Sequence, residues 1–289
     1  MQAFPSLMER WNKLAIIAGS GDLPVRIAEH CRAEGKPYFI ARLAGFADQT
    51  LEAHPGREFG VGEMGARFKA MKQAGCDAIV FAGALKRPDF ATLKLDARGM
   101  MMMPKILAAA GKGDDALLRL MVEECESEGF RVIGADDVLG GLKAPAGVIG
   151  AHAPRAEDFT DIKKGAAIAH ALGAWDIGQG VVVCAELVLA VEALEGTDAM
   201  LERVAGLPAQ SRGRESARRG VLVKRPKPQQ ERRIDLPTIG AATVERAARA
   251  GLAGIALEAQ GALIVGRDRA VALADDLGLF LYGFTPDDL

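Results

Sequence analysis

Aromatic side chains make up only 5% of this 289-residue chain, too few for a protein that reads RNA by stacking bases on aromatic rings. The formal net charge is −2, and a general nucleic-acid binder would be basic throughout, so no nucleic-acid partner is expected. The four cysteines (Cys31, Cys76, Cys125, Cys184) form no CxxC pair, and the four histidines (His30, His54, His152, His170) are equally scattered. That excludes a zinc site by spacing and makes the cysteines reduced, buried, apolar residues of a cytosolic protein. No apolar run approaches the roughly 20 residues of a membrane-spanning helix. The amino terminus, MQAFPSLMERWNK, carries acid and base early and has no apolar core of a signal peptide. A cytoplasmic protein is expected, and work at a membrane surface stays open.

Hydrophobic residues at 49% and charged residues at 26% describe an ordinary globular protein, long enough for two modest domains with proper cores. Leu14–Ala18 reads as a buried strand running into Gly19-Ser20-Gly21-Asp22-Leu23-Pro24, with Pro24 in the first turn of a helix that stops before Gly35. Strands at 38–43, 58–61, 78–82 and 131–134 alternate with helices at 63–74, 101–110 and 115–128, the last with Asp114 as N-cap. Continuous apolar strands alternating with helices predict a parallel sheet covered on both faces. The fold class is therefore α/β. A Rossmann-like, doubly wound domain is expected over 1–140, then a Gly/Ala/Pro-rich linker over 141–160, then a smaller α/β domain over 161–289.

Ligands of such sheets sit beyond the carboxyl ends of the strands. The GSGDLP loop offers backbone N–H groups and a helix N-terminus to an anion. It is not a dinucleotide fingerprint, because Pro24 takes the third glycine position and Arg42 stands where an acid for a ribose belongs. Gly83-Ala84-Leu85-Lys86-Arg87-Pro88 is the second such loop, with Lys86 and Arg87 as phosphate or sugar contacts. Met100 to Met103, before Pro104, read as adaptable core or as the lining of a channel for flexible apolar chains.

In the second half, a helix is expected over 161–172, then Trp175-Asp176-Ile177-Gly178-Gln179-Gly180, then paired strands at 181–184 and 187–193. Gly196 breaks the second strand. Thr197 reads as a helix cap with Asp198 in the first turn, while Glu195 has no capping role and is a candidate metal ligand. Residues 221–240, VLVKRPKPQQERRIDLPTIG, begin as a strand and break at Pro226 and Pro228. Between 210 and 235 there are nine Lys/Arg against three acids, in a chain that is slightly acidic overall. That pattern predicts a proline-stiffened basic loop that receives phosphate around one carboxylate, Asp235. Arg233, two residues earlier on the same side of an extended segment, is a natural phosphate partner. Lys224 and Lys227 come next and Arg212 to Arg219 after them. Thr243 is expected to cap a helix ending at Gly251, followed by strands at 254–259, 263–265 and 279–283 and a helix at 268–277.

Taken together, GSGDLP, GALKRP, DIGQ, VEALEGTDAML, VKRPKPQQERRIDLPTIG and AGLAGIALEAQGALI resemble the UDP-2,3-diacylglucosamine pyrophosphatase family of lipid A biosynthesis, of the two-domain type unrelated to calcineurin-like phosphoesterases. The resemblance spans all but about the first twelve residues, with two departures: Gln229 and Glu231 stand where the family has Gly and Asp. It implies hydrolysis of UDP-2,3-diacylglucosamine to UMP and 2,3-diacylglucosamine 1-phosphate (lipid X), dependent on Mg²⁺, with water attacking the sugar-side phosphorus. It also implies substrate between the two domains and acyl chains in an apolar chamber. Asp235 matches the family's catalytic Asp, and Arg233 is expected to assist it. Gly19, Ser20, Gly21, Asp22, Leu23, Pro24, Gly83, Lys86, Arg87, Gln179, Thr197, Lys224 and Lys227 are expected to hold substrate, and Asp235, Glu195 and Asp198 to hold the ion. A lone Asp235 helped by either acid would suffice for Mg²⁺, and Asp235 could equally be the general base. A homodimer at the cytosolic face of the inner membrane completes the expectation. A nucleotide-sugar transferase and a non-catalytic RNA- or lipid-binding protein are the alternatives.

Overall fold

Leu14–Ala18 (β1) is buried along its whole length, as a strand covered on both faces must be, and is the middle strand of a five-stranded parallel sheet. The structure is a computed structural model and describes residues 11–85 and 88–289; the expectations for Lys86 and Arg87 lie outside the described residues. Asp22–Ala33 (α1) follows β1, then Tyr38–Leu43 (β2), Gly56–Phe59 (β3), Met64–Gln73 (α2) and Ala78–Ala82 (β4). Ala97–Ala110 (α3), Asp114–Ser127 (α4), Arg131–Ile133 (β5) and Ala135–Leu139 (α5) complete the first unit, Met1–Leu139. The sheet order β3-β2-β1-β4-β5, all parallel, is the doubly wound arrangement, and the chain reverses direction across the sheet between β1 and β4.

Two helix starts differ from the sequence reading. α3 begins four residues early because the Asp96 side chain accepts the Gly99 N–H at 2.8 Å, and Pro104 sits inside the helix rather than near its start. α4 is preceded by Gly113 as N-cap, so Asp114 lies in the first turn, where its charge favours the helix dipole.

The second unit, Gly140–Leu289, is built on a six-stranded sheet ordered β6-β13-β11-β9-β7-β8. Its elements in chain order are Gly147–Ile149 (β6), Ala156–Ala174 (α6), Gly180–Cys184 (β7), Leu187–Val191 (β8), Gly196–Ala205 (α7), Val221–Lys224 (β9) and Thr238–Ile239 (β10). Then come Ala241–Arg249 (α8), Gly254–Glu258 (β11), Leu263–Ile264 (β12), Arg267–Asp276 (α9) and Phe280–Phe284 (β13). The stretch 141–160, read as a linker, supplies β6, paired antiparallel to β13, and the start of α6. β7 and β8 form the expected hairpin, and both residues of its turn, Ala185 and Glu186, have positive φ. Asp161 from α6 accepts both of their backbone N–H groups, at 3.0 and 2.7 Å. β10 and β12 make a separate two-stranded ladder. Among the described residues no helix is long and apolar enough to cross a membrane.

β9 is buried at all four positions, and its inner residues face two clusters. Leu222 joins Val182, Leu201, Val244, Ile255 and Leu281 on one face, while Val221 and Val223 join Ile162, Ala166 and Phe284 on the other. A strand so enclosed cannot shift register without moving its whole apolar set. Leu222→Ala is expected to lower the unfolding free energy by about 2–5 kcal/mol through the cavity it leaves. Leu187→Ala, at a 64% exposed position of the edge strand, should change it by less than about 0.5 kcal/mol. Urea unfolding of the two variants checks both values.

Candidate functional site

At the carboxyl end of β9, Lys224 is only 2% exposed, and its ammonium donates to the Thr197 hydroxyl at 2.6 Å. Thr197 in turn donates to Glu192 Oε1 at 2.7 Å, and Glu192 Oε2 faces Lys224 Nζ at 3.8 Å without a hydrogen bond of its own. Thr197 is therefore the bridge of a buried ion pair. It is not the cap of α7, whose N-cap is Glu195, and the helix begins one residue before Thr197 at Gly196. Thr243 likewise lies buried inside α8, which Gly240 precedes as N-cap.

Glycine makes the room for Glu192. A Cβ on Gly178 would stand 2.0 Å from the Glu192 carbonyl oxygen, and one on Gly180 would stand 2.4 Å from Glu192 Oε2. The backbone before them turns at Asp176, which adopts φ 55°, and its carboxylate receives Lys227 Nζ at 2.5 Å. An aspartate tolerates the left-handed region better than most residues, and a fixed charge partner holds it there.

After β9 the chain stays pinned. The Arg225 N–H donates to the Gln179 carbonyl at 3.1 Å, and the Arg225 guanidinium meets Glu258 at 2.9 Å. Gln230, 7% exposed, accepts the Lys227 N–H at 2.9 Å and donates to Gln179 Oε1 at 3.1 Å and to Asp235 Oδ2 at 2.5 Å. Asp235 thus belongs to the same constellation as Gln179 and Lys227, and Lys224 and Thr197 lie one residue of β7 away, since Gly180 pairs with Lys224.

Arg233 and Asp235 are not on an extended segment. The N–H groups of Ile234 and Asp235 both donate to the Glu231 carbonyl at 3.1 Å, which makes the stretch a turn. The Arg233 guanidinium forks onto Glu231, with both bonds at 2.8 Å.

The basic window divides in two. Arg212 donates to the carbonyls of Leu207 and Gly213 at 2.8 and 3.0 Å. Arg218 donates to Ala248 at 2.8 Å and Arg219 to Gln210 at 3.1 Å. These arginines hold an irregular loop against the end of α8. Lys224, Arg225 and Lys227 are each matched to an acid within the site.

The proposed ion ligands are not gathered. Glu195 pairs with Arg203 at 2.5 Å, and its own backbone N–H together with Arg203 holds its carboxyl below the usual range. Asp198 pairs with Arg246 at 3.3 Å. Among the described residues no group of three or more His, Cys, Asp or Glu is placed to hold a metal.

In the first unit the GSGDLP loop meets Gly83 and Ala84. The Gly19 N–H donates to the Ala82 carbonyl at 2.8 Å, Ser20 and Ala84 exchange backbone hydrogen bonds at 2.9 Å, and the Ser20 hydroxyl also reaches the Ala84 carbonyl. Gly83, at φ 87°, permits this closeness, since a Cβ there would lie 2.4 Å from the Ser20 oxygen. The backbone N–H groups of Gly19 and Ser20 are thereby engaged, and Asp22, at the start of α1, is paired with Arg26 at 2.6 Å.

Three contributors went unnoticed in the sequence: Glu192, Gln230 and Asp176. Glu192 and Asp176 had a signal, an acid beside a glycine-rich segment that must fold tightly. Gln230 had none beyond its place between Lys227 and Asp235.

The LpxI N-terminal domain family matches residues 13–142, and the LpxI C-terminal domain family matches residues 145–282. A curated relative from Caulobacter vibrioides, named UDP-2,3-diacylglucosamine pyrophosphatase LpxI, is 54% identical over 276 residues, covering 96% of this chain and 99% of the relative. Among solved structures, CobK precorrin-6A reductase matches at 11% identity with a TM-score of 0.34, over 95% of this chain and 88% of that one, too weak a likeness to bear on the fold. With both domain families matched over nearly its whole length and a relative at this identity, the chain belongs to the LpxI family.

Proposed function

We propose that the protein hydrolyses the diphosphate of UDP-2,3-diacylglucosamine, releasing UMP and 2,3-diacylglucosamine 1-phosphate for lipid A biosynthesis. The observation that carries this reading is the 54% identity, over 96% of this chain and 99% of the relative, to a UDP-2,3-diacylglucosamine pyrophosphatase. The chemistry of the second unit supports it. A diphosphate must have its charge neutralised before water can attack. Lys224 supplies a fixed positive charge from below the surface, while Lys227 and the Gln179 amide are nearer to solvent and act as donors to phosphate oxygens. Asp235 orients the attacking water and takes its proton as the new P–O bond forms at the sugar-side phosphorus. The bond to the bridging oxygen then breaks, and UMP leaves.

A divalent ion, Mg²⁺, is part of the proposal: bound by Asp235 and the diphosphate, it would withdraw charge from the phosphoryl oxygens. The reaction belongs in the cytoplasm, at the membrane face from which a diacylated substrate is drawn. A homodimer is also proposed, because β8 leaves one edge of the second sheet without a neighbouring strand.

Asp235→Ala is expected to keep its fold and its substrate affinity and to lose about 10²–10⁴-fold in kcat, read as UMP release. A variant that keeps most of the wild-type rate would remove Asp235 from the mechanism. Chelation by EDTA should abolish wild-type turnover and added Mg²⁺ restore it; unchanged turnover would exclude the ion. In ¹⁸O-labelled water, the label should appear in the sugar 1-phosphate. Label in UMP would place the attack on the other phosphorus, and transfer to a sugar acceptor without label in either product would identify a transferase.

A further inference from the structure

A buried primary amide must satisfy a carbonyl oxygen and two N–H groups, and each one left unmatched costs the solvation it has given up. Gln230, 7% exposed, meets the requirement with three different residues. Its Oε1 accepts the backbone N–H of Lys227 at 2.9 Å. A backbone N–H can only meet an oxygen, so this bond fixes which way the amide points. The NH₂ group must then face the other way, where it donates to Gln179 Oε1 at 3.1 Å and Asp235 Oδ2 at 2.5 Å.

Two consequences follow for the neighbours. The Asp235 carboxylate, which stands on a turn rather than on a strand or helix, is tied by one oxygen to a rigid, buried partner. Gln179 must present its own oxygen to Gln230, so its NH₂ group points away, and that group makes no hydrogen bond to any described residue. A partly buried amide held with its donors away from Gln230 suits an anionic ligand, whereas one free to rotate would present its oxygen half of the time.

We propose that Gln230 is a positioning residue, which holds the Asp235 carboxylate in its working orientation and turns the Gln179 amide donors toward the phosphate. The assignment rests on the reading of Asp235 given above, and it adds a residue that acts through two others without touching the substrate. Gln230→Met keeps the length of the side chain and removes every hydrogen bond. Gln230→Glu keeps the oxygen that meets Lys227 but sets a second carboxylate against Asp235 and an oxygen against Gln179.

The test combines a mutant cycle with crystal structures of the full-length wild-type protein and the Gln230→Met variant. Gln230→Met is expected to lose about 10- to 100-fold in kcat, the worth of a hydrogen bond to a charged group, with KM changed several-fold at most. Gln230→Glu should fall further. Gln230→Met in an Asp235→Ala background should lose much less kcat than it does in the wild type, because no carboxylate is left to position and only the effect through Gln179 remains. A Gln230→Met rate within twofold of wild type, or a loss that multiplies undiminished with that of Asp235→Ala, would overturn the assignment. The crystal structures do not depend on activity. The variant should show Asp235 displaced or in several rotamers and the Gln179 amide reversed or disordered, and both side chains unmoved would overturn the assignment. A wild type that releases no UMP would refute the pyrophosphatase reading, while the crystallographic comparison would still decide whether Gln230 positions Asp235. If Gln230→Met does not fold, Gln230→Asn, which cannot span the same three partners, takes its place in both arms with the same expected and overturning results.

Discussion

A lysine that is 2% exposed cannot keep its charge without a counter-charge beside it, and the architecture of the second unit around β9 follows from that need. Glu192 supplies the charge, Thr197 bridges the pair, and two glycines, Gly178 and Gly180, clear the space that the Glu192 side chain and backbone occupy. Glu192 lies just beyond β8, Thr197 at the start of α7 and Lys224 at the end of β9, so one electrostatic requirement locks a hairpin, a helix and a central strand together. Removing one partner would leave the other buried and uncompensated, which in proteins costs about 3–5 kcal/mol. Because the pair sits at the carboxyl end of β9, the constraint that stabilises the unit also places a fixed positive charge beside the turn that carries Asp235.

The remaining charges are arranged by the same logic. Of the basic residues between 210 and 235, Arg212, Arg218 and Arg219 hold backbone carbonyls of an irregular loop. Arg225 and Lys227 are set against Glu258 and Asp176. The local excess of positive charge in the sequence therefore combines two populations, one that builds the loop and one that lines the site. A cation already matched to an acid is held in place before ligand arrives, so little ordering remains to be done on binding.

How much of this could be read from the sequence varied with the physics involved. The two α/β units, the order of their elements and most strand positions were legible, since continuous apolar strands and glycine stops encode them locally. Leu14–Ala18, Tyr38–Leu43 and Val221–Lys224 stand where the pattern put them. The helix starts were less legible: Asp96 captures Gly99 and draws α3 back by a turn, and Gly113 displaces Asp114 from the cap of α4. At the site, Asp235, Lys224, Lys227, Gln179 and Thr197 were singled out and are gathered. Thr197 was read as a cap because its neighbours resemble one, whereas its hydroxyl is claimed by Glu192, five residues earlier, and by Lys224, distant in sequence. Arg233 was placed beside Asp235 on the premise of an extended chain, and the turn made by Glu231 removes that premise. Gln230 was invisible because an amide has no charge or spacing signal, and its contact with Gln179, 51 residues away, follows from the fold alone.

The claim on which the account turns is that the groups around the end of β9 receive the diphosphate while Asp235 acts on it. A crystal structure of Asp235→Ala soaked with UDP-2,3-diacylglucosamine tests this most directly. The account predicts intact substrate with phosphate oxygens at hydrogen-bonding distance from the Gln179 amide and Lys227, and the sugar-side phosphorus facing position 235. A diphosphate bound away from this cluster, with Gln179 and Lys227 making no contact to it, would contradict the account.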